Sequence, residues 1–267
     1  MLTVGLLSAC GGGDSPADPQ GARVVRMTID SVAIRQQEHV TVVVPPGQAS
    51  RRDRPLLVFL HGRGADDQSY LDASMFAALR QLGSRAPTIA FPDGGDHSYW
   101  HDRADGAWGR YVTNEVIPAV ARRFHADARR VAIGGISMGG FGALDLAERM
   151  PGRWCAVGAH SPALWQSADE TADGAFDDAE DFAAHDVIAA AATAQGVAAL
   201  REKPLWIDAG EDDPFLPGDR AFVAALHGRG DTHARLDTAP GGHDDAYWES
   251  RWKDYLEFYA AALAACR

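Results

Sequence analysis

Between Arg23 and Val44 apolar positions recur at short, strand-like intervals: Val24, Val25, Met27, Ile29, then Val32, Ile34, Val40, Val42 and Val44. This period predicts two extended segments, joined near Gln36-Gln37-Glu38 and paired antiparallel at the edge of a sheet. Pro45-Pro46-Gly47 and the polar stretch Ser50 to Arg54 read as the loop beyond. The pattern then changes, because Pro55-Leu-Leu-Val-Phe-Leu60 is unbroken apolar, as a strand buried on both faces requires. From there helical and strand patterns alternate. The predicted elements are a helix from Tyr70 to Leu82, a strand from Thr88 to Phe91, and an amphipathic helix from Trp108 to Phe124 with a kink at Pro118. A short β-branched strand, Val131 to Ile133, precedes an alanine- and leucine-rich helix. Strand Cys155 to Ala159, a long insertion, strand Leu205 to Asp208, helix Asp219 to Leu226, strand Ala234 to Thr238 and a final helix from Tyr247 to Ala265 complete the chain. Such alternation predicts an α/β protein, a mostly parallel twisted sheet with helices on both faces. Chemistry in open α/β sheets collects at the carboxyl ends of the strands, so the residues after each strand are the ones to inspect.

A chain of 267 residues with 46% hydrophobic content suits one α/β domain, expected over residues 22–267. A formal net charge of -12 argues against nucleic acid or an anionic membrane surface as the main partner. No apolar run reaches the roughly 20 residues that a bilayer-spanning helix needs.

After Val131 to Ile133 the chain reads Gly134-Gly135-Ile136-Ser137-Met138-Gly139-Gly140 before its helical pattern begins. Gly135 to Gly139 matches Gly-x-Ser-x-Gly, the nucleophile elbow, in which small neighbours let strand and helix approach while the serine takes a strained backbone conformation. The competing interpretations are a phosphate-binding turn and a plain tight turn. Both nucleotide fingerprints fail here, for no Gly-x-Gly-x-x-Gly register exists and no Lys-Ser/Thr pair follows the glycines.

Two other strand ends supply what such a serine needs. Asp208-Ala-Gly-Glu-Asp-Asp-Pro-Phe215 offers acids, with Asp208, Asp212 and Asp213 all open as candidates, and Ala239-Pro-Gly-Gly-His-Asp244 offers His243 as a base. Serine, acid, histidine is the chain order of the α/β-hydrolase fold. His61-Gly62-Arg63-Gly64 follows the buried strand at Leu60. In that fold a backbone N–H from this loop and the N–H after the serine form an oxyanion hole, here assigned to Arg63 and Met138.

Taken together, Leu60-His-Gly-Arg-Gly-Ala65, Phe91-Pro-Asp-Gly-Gly95, Gly135 to Gly142, Asp208 to Phe215 and Gly241-Gly-His-Asp244 resemble the esterase family that includes esterase D, feruloyl esterases, siderophore esterases and mycolyltransferases. The resemblance covers about Arg23 to the C-terminus. It implies an α/β-hydrolase fold with Ser137 as nucleophile, His243 as base and Asp213 as acid, the last because Gly-x-x-Asp counted from Gly210 lands there.

The remaining polar clusters have two sides. His97, His101 and Asp102 offer metal-ligand chemistry but no third group at a recognised spacing, so no metal and no cofactor are expected. His61, Tyr99, Trp100 and Trp165 are instead expected to line the substrate pocket, with ordinary packing as the alternative. Beyond Ser161-Pro162 an acidic run, Asp169, Glu170, Asp173, Asp177, Asp178, Glu180, Asp181 and Asp186, contains no Lys or Arg. It is expected to form a short acidic cap insertion, with a solvated face as the bland alternative. It lacks the spacing of a calcium loop.

Leu7-Ser8-Ala9-Cys10 before a polar stretch to Gly21 resembles a bacterial lipoprotein signal, although no Lys or Arg precedes Cys10. Residues 1–21 are therefore expected to be a signal and tether, with lipid on Cys10 and the chain exported to the cell envelope. Cys155 and Cys266 are expected to be buried free thiols, with a pair in an oxidising envelope as the alternative. The function expected is a serine carboxyl-ester hydrolase acting on a small-molecule or polymer-linked neutral ester. An acyltransferase with the same triad and a non-catalytic binding protein are the alternatives. Oligomeric state is not legible.

Overall fold

The computed structural model describes residues 17–48, 50–201 and 203–266. Two antiparallel strands open the fold, β1 (Arg23–Ser31) and β2 (Gln36–Val44), in a register that sets Arg23 opposite Val44 and Ser31 opposite Gln36. The reversal comes earlier than the Gln36-Gln37-Glu38 expected, at Val32 to Arg35, where Arg35 takes φ 57°.

Next come β3 (Arg54–Leu60), α1 (Ala73–Leu82) and β4 (Thr88–Pro92). Every residue of β3 is buried, including Arg54. Its guanidinium is satisfied by the Thr88 hydroxyl at 3.0 Å and the Gln48 carbonyl at 2.6 Å, along with the carbonyls of Arg51 and Phe124. The stretch containing Pro118 is not a kinked single helix. One turn, α2 (Trp108–Arg110), passes into π-helix over Tyr111–Val116 and then α3 (Ile117–Phe124). Pro118 has no N–H to give and its ring crowds the carbonyl four residues back, so the wider turn precedes it.

The chain continues through β5 (Ala126–Ile136), α4 (Met138–Arg149) and β6 (Val157–His160), then the insertion with α5 (Ala179–Ala184), α6 (Val187–Ala191) and α7 (Ala194–Arg201). It closes with β7 (Leu205–Gly210), α8 (Leu216–Gly228), β8 (Leu236–Ala239) and α9 (Asp245–Ala265). The eight strands lie in the order β1-β2-β4-β3-β5-β6-β7-β8, parallel from β4 onward. This mixed, mainly parallel sheet with helices on both faces is the α/β-hydrolase fold.

Alternation along β3 explains why both faces are covered. Leu56, Val58 and Leu60 pack with Val116, Val120, Phe141 and Leu144 on one side, while Leu57 and Phe59 pack with Met75, Leu79, Trp252 and Tyr259 on the other. Each such side chain removed from water contributes about 1.5–3 kcal/mol, so a polar residue on either face of this strand would be costly.

The acidic insertion is more occupied than a solvated face. Asp178 caps α5 by accepting from the N–H groups of Glu180 and Asp181, Asp186 caps α6, and Asp177 pairs with Arg103 at 2.8 Å. Carboxylates are favoured at helix N-termini by the unpaired N–H groups and the helix dipole.

Cys155 and Cys266 are joined by a disulfide, which corrects the expectation of free thiols. They stand 111 residues apart in sequence, and the packing of α9 against the sheet brings their Cα atoms to 5.6 Å. Cys10 lies outside the described residues.

Candidate active site

Ser137 stands between the last residue of β5 and the first of α4 with φ 56° and ψ -115°. A non-glycine residue there costs about 1–3 kcal/mol, so its surroundings must hold it. Ser137 donates its N–H to the His160 carbonyl at 3.0 Å and accepts from the N–H groups of Phe141 and Ala163 at 3.0 and 3.1 Å. The flanking glycines answer to space, since a Cβ on Gly139 would sit 2.0 Å from the Leu60 carbonyl oxygen and one on Gly135 would sit 2.5 Å from Gly139.

His243 arrives on the loop between β8 and α9, where Asp244 caps α9 by accepting from the Tyr247 N–H at 3.0 Å. Its Nε2 lies 2.8 Å from Ser137 Oγ and its Nδ1 lies 2.9 Å from Asp213 Oδ2. A carboxylate can only accept, so the Asp213 contact assigns the ring proton to Nδ1 and turns the Nε2 lone pair toward the Ser137 hydroxyl. The imidazole is flanked by Phe215 and Trp248, with ring centroids at 5.0 and 5.1 Å. Asp213 lies on the turn after β7, its N–H bonded to the Gly210 carbonyl at 3.1 Å. Burial works against its charge. Hydrogen bonding and charge from His243, the Phe215 N–H and the Ser161 hydroxyl outweigh that penalty and hold the carboxyl below its ordinary range.

Sequence reasoning overlooked two residues here. Ser161, at φ 44°, accepts from the Trp248 indole N–H at 3.0 Å and reaches Asp213, so it ties α9 to the acid. A serine just past β6 is the only signal that pointed to it. Tyr70 is the other, because its hydroxyl accepts from the Gly62 N–H at 3.1 Å and steadies the loop that carries Arg63.

Ser137 and His243 open onto a cleft of about 450 Å³, lined also by Gly62, Arg63, Tyr70, Asp245 and Trp248. Gly62 lies against the nucleophile, since a Cβ there would be 3.3 Å from Ser137 Cβ. Met138 opens α4, so its N–H has no carbonyl one turn back in the helix to bond. Arg63 lines the same cleft as Ser137, and Met138 follows the serine directly in the chain.

The side chains expected to wall the pocket lie elsewhere. His61 is buried and works on its own loop, with Nδ1 at 2.8 Å from the Gly62 carbonyl and Nε2 accepting from the Gly94 N–H at 2.8 Å. Trp100 is wholly buried over Gly142, where a Cβ would meet it at 2.4 Å, and it donates to the His61 carbonyl at 3.1 Å. Tyr99 packs against Trp165 and Phe141, with ring centroids at 5.4 and 5.9 Å. Trp165 lines a neighbouring cavity of about 320 Å³ with Phe215, one ring removed from His243. Aromatic residues in a sequence look alike whether they face a cavity or fill the core, and here the missing side chains of Gly94 and Gly142 made room inside.

Two further acids surround the triad. Asp208, fully buried in β7, binds His160 Nδ1 at 2.6 Å and accepts from the hydroxyls of Tyr247 and Tyr255, each at 2.9 Å. Asp219 in α8 is buried with neither carboxyl oxygen bonded among the described residues, and burial together with the charges of Asp213 and Asp208 holds its carboxyl well above the ordinary range. Away from the cleft, His101, Asp181 and His185 converge, three residues that no sequence spacing connected.

A serine on a strained strand-to-helix turn, met by a histidine and a carboxylate from two later strand ends of this sheet, is a Ser-His-Asp arrangement of the serine-hydrolase type on an α/β-hydrolase fold. The Esterase family model matches residues 31–261, and the chain belongs to that family. Esterase MT1326 and Esterase Rv1288, both from Mycobacterium tuberculosis, are each 26% identical to it over 253 residues, covering 79% of this chain and 53% of theirs. The chain spans about half the length of these relatives. Among solved structures, a ferulic acid esterase superposes with a TM-score of 0.79 at 22% identity, covering 90% of this chain and 98% of that one. An S-formylglutathione hydrolase from Agrobacterium tumefaciens superposes at 0.78 with 20% identity, covering 94% of this chain and 99% of the other. Identities at this level speak for the fold.

Proposed function

We propose that the protein is a serine carboxyl-ester hydrolase that works through an acyl-enzyme on a neutral ester. The observation behind this is the unbroken hydrogen-bonded line from Asp213 through His243 to Ser137. His243 Nε2 takes the hydroxyl proton as Ser137 Oγ bonds to the acyl carbon, and the carbonyl oxygen becomes an oxyanion between the N–H groups of Arg63 and Met138. Each such donor is worth about 2.7–4 kcal/mol to the transition state. The imidazolium, oriented and stabilised by Asp213, returns the proton to the departing alkoxide and leaves the acyl group on Ser137. Water then repeats the sequence, and the acid departs. Apart from the attacking water, these steps use the side chains and backbone N–H groups named above.

Export is part of the proposal. It rests on the sequence around Cys10, and a disulfide between Cys155 and Cys266 suits an oxidising compartment. Lipid on Cys10 has only the sequence behind it.

Fluorophosphonate labelling followed by peptide mapping tests the nucleophile, with Ser137 expected to carry the adduct. No labelling in folded protein would leave a binding protein on a hydrolase fold. A panel of aryl esters of rising acyl length, with feruloyl, S-formyl thioester and polyester substrates and an added alcohol, would then identify the acyl group and separate hydrolysis from acyl transfer.

A further inference from the structure

We propose that His101, Asp181 and His185 bind one divalent transition-metal ion, zinc by its donor set, which clips the insertion after β6 to the loop after β4. Asp181 and His185 lie one turn apart at α5, while His101 comes from the loop between β4 and α2. Their ligand atoms all fall within 4.8 Å of one another.

The hydrogen bonding around His185 leaves a place for a cation. Nδ1 of His185 lies 3.0 Å from Asp145 Oδ1, which also accepts from Arg149 Nε at 2.7 Å. Because a carboxylate only accepts, Nδ1 carries a proton, which leaves Nε2, 3.8 Å from Asp181 Oδ1, as the ligand atom this ring can offer. At 3.8 Å the gap is too long for a hydrogen bond, whereas bonds of about 2.0–2.2 Å to a shared ion place neighbouring donor atoms within about 4 Å. The other oxygen of Asp181 accepts from His101 Nε2 at 3.0 Å, and this nitrogen would turn its lone pair to the ion once the ring proton moves to Nδ1.

Burial and surroundings agree with this. His101 is fully buried. The two imidazole centroids are 4.3 Å apart, a separation at which two imidazolium rings would repel each other. Carboxylate to histidine to metal is the usual outer arrangement of a zinc site, and Asp145, itself held by Arg149, supplies it. Two nitrogens and one oxygen suit zinc better than calcium or magnesium, which take oxygen. His185 also lines a cavity of about 260 Å³ with Asp145, Arg149 and Asp102, which gives an entry path and room for a water as fourth ligand.

None of the three lines the cleft at Ser137, so the ion would hold the insertion in place without taking part in ester chemistry. The proposal is therefore independent of the esterase assignment. To test it, the untagged protein is stripped with a chelator, dialysed against buffered Zn²⁺ and analysed by mass spectrometry of the metal. It should retain about one zinc per chain, show visible ligand-field bands with Co²⁺, and gain at least about 3 °C in Tm with micromolar Zn²⁺. Asp181→Asn and His185→Gln, checked for folding by circular dichroism, should lose all three signals. Asp178→Asn, which alters the same acidic run but keeps a capping side chain, should retain them. Should either ligand variant fail to fold, the wild-type stoichiometry, cobalt spectrum and Tm shift decide the matter. Wild-type protein retaining under about a tenth of an equivalent, with no spectrum and no Tm change, would overturn the site and assign a proton to His185 Nε2. Retention of zinc by folded Asp181→Asn would overturn it equally.

Discussion

Asp208 and Asp213, five positions apart on one strand and its following turn, hold two different histidines: Asp208 binds His160 Nδ1 at 2.6 Å, and Asp213 binds His243 Nδ1 at 2.9 Å. Asp208 also takes hydroxyl bonds from Tyr247 and Tyr255 of α9, while His160 Nε2 lies 2.8 Å from the Tyr259 hydroxyl. The end of β7 therefore anchors the last helix beneath the sheet, and the turn beyond it carries the acid of the triad.

This division of labour predicts distinct losses. Asp213→Asn should lower kcat by about 10⁴, because an amide no longer fixes the Nδ1–H tautomer of His243. Exposed Asp212 bonds its own N–H to the Gly241 carbonyl at 3.0 Å, with no side-chain hydrogen bond to the site among the described residues, so Asp212→Asn should keep most of the rate. Asp208→Asn should show its main effect in urea unfolding. Steady-state hydrolysis of an aryl ester by the three variants checks the assignment, and a slow Asp212→Asn beside a fast Asp213→Asn would move the acid to Asp212.

Ser137→Ala should cost about 10⁴–10⁶ in kcat with the fold intact. Chelator should leave kcat within about twofold at 25 °C, since the serine mechanism routes no step through an ion. Full activity in folded Ser137→Ala would overturn the mechanism.

Ser161→Ala should reduce kcat about tenfold with little change in KM, through loss of one hydrogen bond to the charged Asp213. Partial rescue in Ser161→Thr, which retains the hydroxyl, separates positioning from a general packing defect. An unchanged kcat in Ser161→Ala would remove Ser161 from the site.

Asp219 carries a pH signature. Its carboxyl is raised in the folded state, so the folded protein binds the extra proton, and stability falls as pH rises from the unfolded value, about 3.9, toward the folded one. Asp219→Asn cannot ionise and removes that slope. Relative to wild type it should gain stability progressively as pH rises above about 3.9, read from urea midpoints. A difference that stays constant with pH would mean Asp219 is not held protonated.

The Cys155–Cys266 link closes a separation of 111 residues, and disulfides typically contribute about 2–4 kcal/mol by restricting the unfolded chain. Replacing both cysteines with serine should lower the urea midpoint accordingly while hydrolysis at 25 °C persists. Equal midpoints would show that the link contributes nothing.

Much of the framework was legible in the chain because it is encoded locally. Period-two apolar residues mark β1 and β2, an unbroken run marks β3, and glycines spaced about Ser137 mark a turn that larger residues would block. Strand ends could be located, so His243 and the acids after β7 could be placed on the sheet edge where they meet Ser137. Boundaries were less legible. β5 begins at Ala126 rather than Val131, because its polar first half takes part in the sheet without showing an apolar face.

The tertiary structure alone decided the rest, wherever the outcome depends on which surfaces meet. Trp100 and His61 became interior supports because Gly94 and Gly142 leave room above the sheet, and Trp248 reached His243 because α9 turns back across the site. Cys155 found Cys266 as α9 docked on the sheet, and His101 found Asp181 80 residues away as the insertion met the loop after β4. Local periodicity reports the conformation of a segment and which face it buries. It carries no record of the distant side chain that face will touch, which packing settles only when the whole sheet is assembled.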